Sequence, residues 1–230
     1  MAYTRTLEQV AVAHHTKLNT ADNPVNIALG LPTGVDFDKD LYEILESHPE
    51  ENGENVIVAL LDLDNFDPVN KEFGVEAGDK VLIDTGNYLK SKIDDNATLY
   101  RIGGDEFAII FKGTEEREDI FLFLEILRRE FPVVKPDGNK MGITIGMAAA
   151  VEDANRAPEL VRKADGALYR AKVGGRNRVS MAKEEKMIPK TSHYTQDQLQ
   201  RLAKLAKREG VGEAILLREA LDMLLKKYDI

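Results

Sequence analysis

The chain has 230 residues, of which 43% are hydrophobic, with a net charge of −9 and no cysteine. This length predicts one ordinary domain plus a small module, and the lack of cysteine excludes disulfides and thiolate metal sites while fitting a reducing cytoplasm. No apolar run approaches the roughly 20 residues of a membrane span, and the N-terminus lacks a secretion signal, so we expect a cytoplasmic protein without a membrane partner.

The charge is unevenly distributed along the chain. Residues 183–230 hold 10 Lys and Arg against 8 Asp and Glu, a net of +2, which leaves 31 − 10 = 21 basic and 40 − 8 = 32 acidic residues elsewhere, a net of −11. The acidic excess argues against nonspecific nucleic-acid binding by the whole surface. The different composition of the C-terminal part predicts a separate module there.

The first part of the chain predicts helices. Residues 1–24 have weak helical spacing and are expected to form a lead-in helix that ends at Asn23-Pro24. Phe37, Leu41 and Ile44 then have the spacing of an amphipathic helix.

A continuous apolar run over residues 56–64 predicts a buried central strand that ends in acids. Asp62 and Asp64 alternate with Leu63, so both carboxylates are expected on one face of the sheet. Because the body of such a strand is buried, the acids at its end meet the surface at the edge of the sheet.

A predicted hairpin carries a second acidic pair. The apolar runs 98–100 and 107–111 predict two strands joined by a tight turn at Gly103-Gly104. A turn does not need Asp105-Glu106, whose charges repel each other unless a cation lies between them, and Mg²⁺ prefers such oxygen ligands. If the hairpin lies beside the strand 56–64, three or four carboxylates converge, as in metal-assisted phosphoryl chemistry. The alternative is a solvated hairpin tip.

Two cations lie at the C-terminal end of a later predicted helix and just after it. Lys172 and Arg176 either complement the dipole at the helix C-terminus or hold the phosphates of a ligand. The glycines of a predicted strand over 141–148 indicate that another backbone approaches closely there. The remaining predicted elements are helices over 81–93, 118–131 and 160–172 and an edge strand over 179–181.

Residues 56–79 and 98–112 resemble the GGDEF family of diguanylate cyclases. The signature over 103–107 is intact, the run 171–177 fits the family's Ala-Lys-x-x-Gly-Arg-Asn pattern in full, and the resemblance covers about residues 25–182. It implies an α/β fold with a ferredoxin-like, palm-type antiparallel sheet flanked by helices. It also implies condensation of two GTP molecules into cyclic di-GMP with Mg²⁺ or Mn²⁺.

The resemblance also implies roles for matching residues. Asp62, Asp105 and Glu106 would be catalytic and would hold the metal together with the backbone carbonyl of Leu63. Asn70 and Asp79 would read guanine, since an amide donates and accepts hydrogen bonds and a carboxylate accepts the N–H groups of the base. The other implied substrate-binding residues are Phe66, Gly103 and Gly104 around the nucleotide, and Lys172 and Arg176 at its phosphates.

The sequence departs from the family pattern in three places. Asp67 stands where the family has a lysine, which removes a phosphate-binding cation and adds a negative charge. The entry motif over 26–34 matches only at its Gly-Leu-Pro centre. Asp94 and Ala97 replace the family's Arg-x-x-Asp product-inhibition site, so feedback inhibition is not expected there.

After a linker over 183–186, residues 187–230 resemble a ribbon-helix-helix module. Thr195 is a predicted N-cap for a helix over 196–209, and a second helix is predicted over 213–228. Two helices and a short strand bury too little surface alone, so a homodimer is expected.

In ribbon-helix-helix proteins the paired strands enter the DNA major groove, and the resemblance gives that role to Thr191 and His193. Pro189 and Glu213 depart from the pattern, and Glu213 would repel a phosphate, so dimerisation is favoured over DNA binding. Two alternatives stay open: a weakly active regulator that binds GTP or cyclic di-GMP and has a DNA-binding tail, and an enzyme of the same fold that uses another nucleotide.

Overall fold

The computed structural model describes residues 23–47, 49–183, 189–209 and 212–228. The predicted lead-in helix and most of the predicted linker lie outside these residues. The chain divides into two compact units, residues 1–184 and 185–230.

A five-stranded sheet forms the centre of the first unit. The strand order is β2-β3-β1-β4-β5, and β1 runs antiparallel to both of its neighbours. The expected palm-type sheet is confirmed, but it is mixed, because β5 runs parallel to β4. The strands are β1 (Asn55–Asp64), β2 (Ala97–Arg101), β3 (Glu106–Gly113), β4 (Gly142–Ala149) and β5 (Val179–Met181).

Helices cover both faces of this sheet, which gives the unit two hydrophobic cores. Ile57 and Leu61 of β1 enter one core, and Val58 and Leu60 enter the other, because neighbouring side chains of a strand point to opposite faces. Burial on both faces explains the continuous apolar run. The helices are α1 (Pro24–Leu29), α2 (Gly34–Glu46), α3 (Asp67–Phe73), α4 (Val75–Lys92), α5 (Arg117–Arg129) and α6 (Ala157–Val173), with a 3₁₀ turn over Pro49–Asn52.

Helix α6 packs on the sheet at Gly146 of β4. A Cβ atom at this position would overlap the α6 backbone at Ala164 and Leu168. The predicted close approach of another backbone to a glycine of this strand is therefore confirmed, and it brings the C-terminal end of α6 to the end of β1.

The second unit contains the helices α7 (Gln196–Glu209) and α8 (Glu213–Lys227). Thr195 caps α7: its hydroxyl accepts from Gln198 N at 3.2 Å, and Gln198 Oε1 accepts from Thr195 N at 2.9 Å, a reciprocal capping box. The described residues 189–195 form no strand in this single chain, so the short strand expected before the two helices stays a prediction. None of the helices in the described ranges is long and apolar enough to cross a membrane.

Candidate active site

The end of β1 lies beside the Gly-Gly-Asp-Glu turn. Asp62 faces Glu106 across the β1–β3 ladder, and Leu63 N donates to the backbone oxygen of Asp105 at 3.4 Å. The turn closes on itself, because Gly103 N donates to the backbone oxygen of Glu106 at 3.2 Å. The Glu106 side chain lies over Gly103, where a Cβ atom would meet its carboxylate at about 2.5 Å.

Three carboxylates are close enough to influence each other's charge. Burial raises the pKa of Asp62 to about 7, Lys172 opposes this rise, and Asp105 and Glu106 add to it. Burial also raises the pKa of Asp105, as does the charge of Glu106. This set of hard oxygen donors suits Mg²⁺ or Mn²⁺, although in the described part of the chain no three acidic, His or Cys side chains are already arranged around a metal position.

Asp62 has a cationic partner that lies 110 positions further along the chain. Lys172, in the last turn of α6, donates from Nζ to Asp62 Oδ2 at 2.6 Å. Both side chains are on the α6 side of the sheet. The predicted metal ligand and the predicted phosphate-binding lysine therefore meet directly.

Asp64 does not join the carboxylate cluster, although it follows Asp62 on the same face. Its carboxylate accepts hydrogen bonds from the hydroxyl of Thr144 and from Asn177 N, the latter at 3.0 Å. Asp62, Asp105 and Glu106 influence one another's charge near the turn, whereas Asp64 has other partners. Asp64 instead ties β1 to the loop after α6.

That loop carries Arg176 and is tightly wound. Gly175, Arg176 and Asn177 have φ values of 110°, 61° and 44°, in the left-handed region that is costly for residues other than glycine. Arg176 N donates to the backbone oxygen of Ala171 at 3.0 Å, and Asp64 holds Asn177. The Arg176 side chain is exposed, so the loop presents a cation to solvent near the end of α6.

Asn70 and Asp79 lie on two consecutive helices. Asn70 is on α3, and Asp79 is in the second turn of α4. Gly78 allows the two helices to meet, since a Cβ atom there would overlap Oδ1 of Asn70. Phe66 is only 5% exposed and belongs to the core, and its ring would lie about 3.2 Å from a Cβ atom at Gly78; its contact with substrate stays a prediction.

A family model described as "Diguanylate cyclase, GGDEF domain" matches residues 30–178. The chain belongs to the GGDEF family. A second model, described as "Ribbon-helix-helix domain", matches residues 188–229, in agreement with the resemblance of the C-terminal module.

The chain is similar to several diguanylate cyclases and to solved structures of GGDEF domains. Diguanylate cyclase A of Treponema denticola is 33% identical over 153 residues, which cover 65% of this chain and 40% of that protein. Diguanylate cyclase VdcA of Vibrio cholerae is 32% identical, with 62% and 42% covered. The chain thus spans less than half the length of these relatives. The crystal structure of the GGDEF domain of YfiN from Pseudomonas aeruginosa is 27% identical, with a TM-score of 0.64 over 68% of this chain and 99% of that one.

Two further groups support the GGDEF site, and the sequence alone did not indicate them. Arg101 is buried, and its guanidinium donates to Gly104 O at 2.7 Å and to Asn26 Oδ1 at 2.7 Å. It therefore links the signature turn to α1. The only indication of this role in the sequence was a basic residue just before the turn, and its partner Asn26 lies 75 positions away.

The second group lies on α5. Arg128 donates to Asn177 Oδ1 at 3.1 Å, Glu125 accepts from Val179 N at 3.1 Å, and the two side chains pair at 2.7 Å. These contacts hold both ends of the segment between the Arg176 loop and β5. Their i,i+3 spacing on a predicted helix was visible in the sequence, but such pairs are common on helix surfaces.

Proposed function

We propose that this GGDEF protein is a diguanylate cyclase that condenses two GTP molecules into cyclic di-GMP. The observation that carries the proposal is that Asp62 is paired across the ladder with Glu106, which follows Asp105, and that Lys172 Nζ lies 2.6 Å from Asp62 Oδ2. One end of the sheet thus combines ligands for a divalent cation with a cation for phosphates. A protein that only bound nucleotide would not need these three carboxylates together.

In the proposed reaction, the 3′-hydroxyl of each GTP attacks the α-phosphorus of the other. Two phosphodiester bonds form, and two bonds to pyrophosphate break, so that two pyrophosphates leave. A divalent cation, Mg²⁺ or Mn²⁺, held by Asp62, Asp105, Glu106 and the carbonyl of Leu63, would activate the hydroxyl and neutralise charge at the phosphates.

The remaining residues bind and orient the nucleotide. Asn70 and Asp79 would hold guanine through its Watson–Crick edge, and this pair favours GTP over other nucleotides. Lys172 and Arg176 would bind the β- and γ-phosphates. Gly103 and Gly104 would contact the nucleotide; a Cβ atom at Gly104 would stand in open space, whereas one at Gly103 would meet the Glu106 carboxylate.

One such site holds one GTP, so the reaction requires two sites facing each other. The C-terminal module supports a homodimer, because α8 presents an apolar stripe that no other part of its unit covers among the described residues. Leu221, Leu224 and Tyr228 are 53%, 50% and 64% exposed. A second copy of the module would bury this stripe and raise the effective concentration of the second catalytic domain to the order of mM.

The activity is tested by incubating the purified chain with GTP and Mg²⁺ and identifying the product by chromatography and mass. An Asp105→Ala variant is the control. Cyclic di-GMP from the wild type and none from the variant supports the proposal. A folded, dimeric wild type that makes no product contradicts it.

The role of the dimer is tested separately with Leu221→Glu combined with Leu224→Glu. These changes place charges in the apolar stripe, so we expect a monomer by light scattering. The specific activity of the variant should then rise steeply with enzyme concentration, while that of the wild type stays constant. The same concentration profile for both proteins would show that the tail does not assemble the two sites.

The match to a ribbon-helix-helix model favours a second candidate, in which the catalytic unit senses GTP or cyclic di-GMP and the tail binds DNA. Thr191 and His193 are exposed, as base-reading residues of a ribbon must be. Glu213 at the start of α8 opposes phosphate binding. A wild type that binds GTP without turnover, and whose DNA affinity falls on Thr191→Ala, would favour this candidate.

A further inference from the structure

Lys172 faces two different anions in the proposed reaction. In the structure its amine is 2.6 Å from Asp62 Oδ2, and the Asp62 and Lys172 side chains are only 12% and 30% exposed. In the proposed function the same amine binds nucleotide phosphates. Solvent and salt screen such a partly buried pair less than a surface pair. Lys172 therefore competes with the metal for Asp62, and Asp62 competes with the nucleotide phosphates for Lys172.

The fold holds Asp62 in place but leaves the Lys172 side chain free to change partner. Asp62 is fixed at the end of a strand with a neighbour on each side, whereas Lys172 ends a helix and has a long, flexible side chain. The lysine can therefore change partner without a change in the sheet. The Asp62 backbone stays in place, because it is paired in the ladder opposite Glu106.

We propose that Lys172 is a positioning residue that couples nucleotide binding to metal binding. It holds the Asp62 carboxylate before nucleotide binds and transfers to the phosphates afterwards, which makes Asp62 available to the divalent cation. This inference rests on the proposed function. Because such coupling is reciprocal, weak metal binding without nucleotide and weak nucleotide binding without metal have the same cause.

The first experiment measures Mn²⁺ binding to the nucleotide-free protein by electron paramagnetic resonance. It is done at about pH 8, where protons compete little with a cation for carboxylates. Lys172→Gln removes the competitor of the metal, and Arg176→Gln removes an equal charge from the exposed loop. We expect Lys172→Gln to tighten Mn²⁺ binding about tenfold more than Arg176→Gln does. Lys172→Arg keeps the charge and the contact, so it should bind Mn²⁺ as weakly as the wild type.

The second experiment measures GTP binding by calorimetry in EDTA, where no metal contributes. Asp62→Asn releases Lys172, and Asp105→Asn removes an equal charge from the same cluster without releasing it. We expect Asp62→Asn to tighten GTP binding about tenfold more than Asp105→Asn. That excess should disappear in the Lys172→Gln background, as a double-mutant cycle requires.

Equal effects of Lys172→Gln and Arg176→Gln on Mn²⁺, together with equal effects of Asp62→Asn and Asp105→Asn on GTP, overturn the coupling. Lys172 would then act only through its long-range charge. If the wild type binds Mn²⁺ and GTP while the paired variants have equal effects, only the coupling is overturned and the proposed function stays intact. Wild type that binds neither ligand even when Mn²⁺ and GTP are added together overturns both. Unchanged circular dichroism spectra and melting temperatures establish that the variants are folded.

Discussion

Gly78 of α4 leaves the space in which the side-chain oxygen of Asn70 lies. In Gly78→Ala the new methyl group displaces Asn70, although alanine favours the helix itself by about 1 kcal/mol. We expect the KM for GTP to rise about tenfold, as for the loss of one hydrogen bond to guanine. Steady-state kinetics measures this change, and Asn70→Ala should raise KM by a similar factor.

Gly86→Ala is the matched control, because Gly86 lies on the same helix but faces Leu29 of α1. It should lower the free energy of unfolding and leave the KM for GTP within about twofold, since the site is not disturbed. If Gly86→Ala raises KM as much as Gly78→Ala does, the contact with Asn70 is not the cause.

Asp67 adds a negative charge where a triphosphate is expected to bind. It lies in the first turn of α3, three residues before Asn70, and it is near enough to Asp105 to contribute, after burial and Glu106, to the raised pKa of that carboxyl. Asp67→Lys should tighten GTP binding about tenfold and by less at high salt, because screening weakens the charge effect. Calorimetry at two salt concentrations measures both effects.

Glu72→Lys makes the same charge change on the same helix. Glu72 is exposed and lies about 140° around α3 from Asp67, which follows from 3.6 residues per turn. Its effect on GTP affinity should stay below about twofold at physiological salt. Comparable gains from both variants would mean that net charge, and not the position of Asp67, limits nucleotide binding.

The close packing of α6 on β4 gives a prediction about stability. In Gly146→Ala the added methyl group meets backbone atoms of Ala164 and Leu168, which cannot rotate away as a side chain can. We expect a loss of about 2 kcal/mol in the free energy of unfolding, as for other overpacked cores. Urea denaturation measures it. Gly104→Ala, which has open space around the new atom, should change the unfolding free energy by less than about 0.5 kcal/mol.

Glu125 makes stability depend on pH. Burial opposes its ionisation, but hydrogen bonds from Arg128 and Val179 N and the charges of Arg128 and Arg129 outweigh this and lower its pKa. A lowered folded-state pKa stabilises the fold above the unfolded value of about 4.3, and this contribution is lost as the pH falls through the folded-state value. Glu125→Gln should therefore cost about 1–2 kcal/mol at neutral pH and progressively less below about pH 4.

Urea denaturation across this pH range tests the prediction. Glu118→Gln, an exposed change on the same helix, should have an effect below about 0.5 kcal/mol throughout. A cost for Glu125→Gln that stays constant down to low pH would mean that its role is packing rather than charge.

The sequence was sufficient where the signal is local. The apolar run of β1, the acids at its end and the signature turn predicted three strands, two of them as a hairpin, and the Thr195 cap predicted the start of α7. Each of these features depends on residues within a few positions of one another, so propensity, alternation and capping determine it.

The sequence failed where a contact joins distant residues. Alternation predicted that Asp62 and Asp64 share a face, but it could not predict that Asn177, 113 positions further on, occupies Asp64 and removes it from the acidic cluster. Arg101 likewise reaches Asn26, 75 positions earlier in the chain, and no pattern around the signature turn indicates that partner. Such outcomes depend on how helices pack, which no local pattern specifies.

Asn70 and Asp79, the residues proposed to read the base, both lie on α3 and α4 between β1 and β2, whereas the metal and phosphate residues come mainly from other segments. Recognition of the base and the chemistry at phosphorus are therefore encoded in largely separate stretches of the gene. Mutation or recombination confined to the stretch that encodes α3 and α4 can change which nucleotide is selected while the reaction itself is inherited intact. If the proposed function holds, base selectivity is thus open to change without a change in the residues proposed for the chemistry.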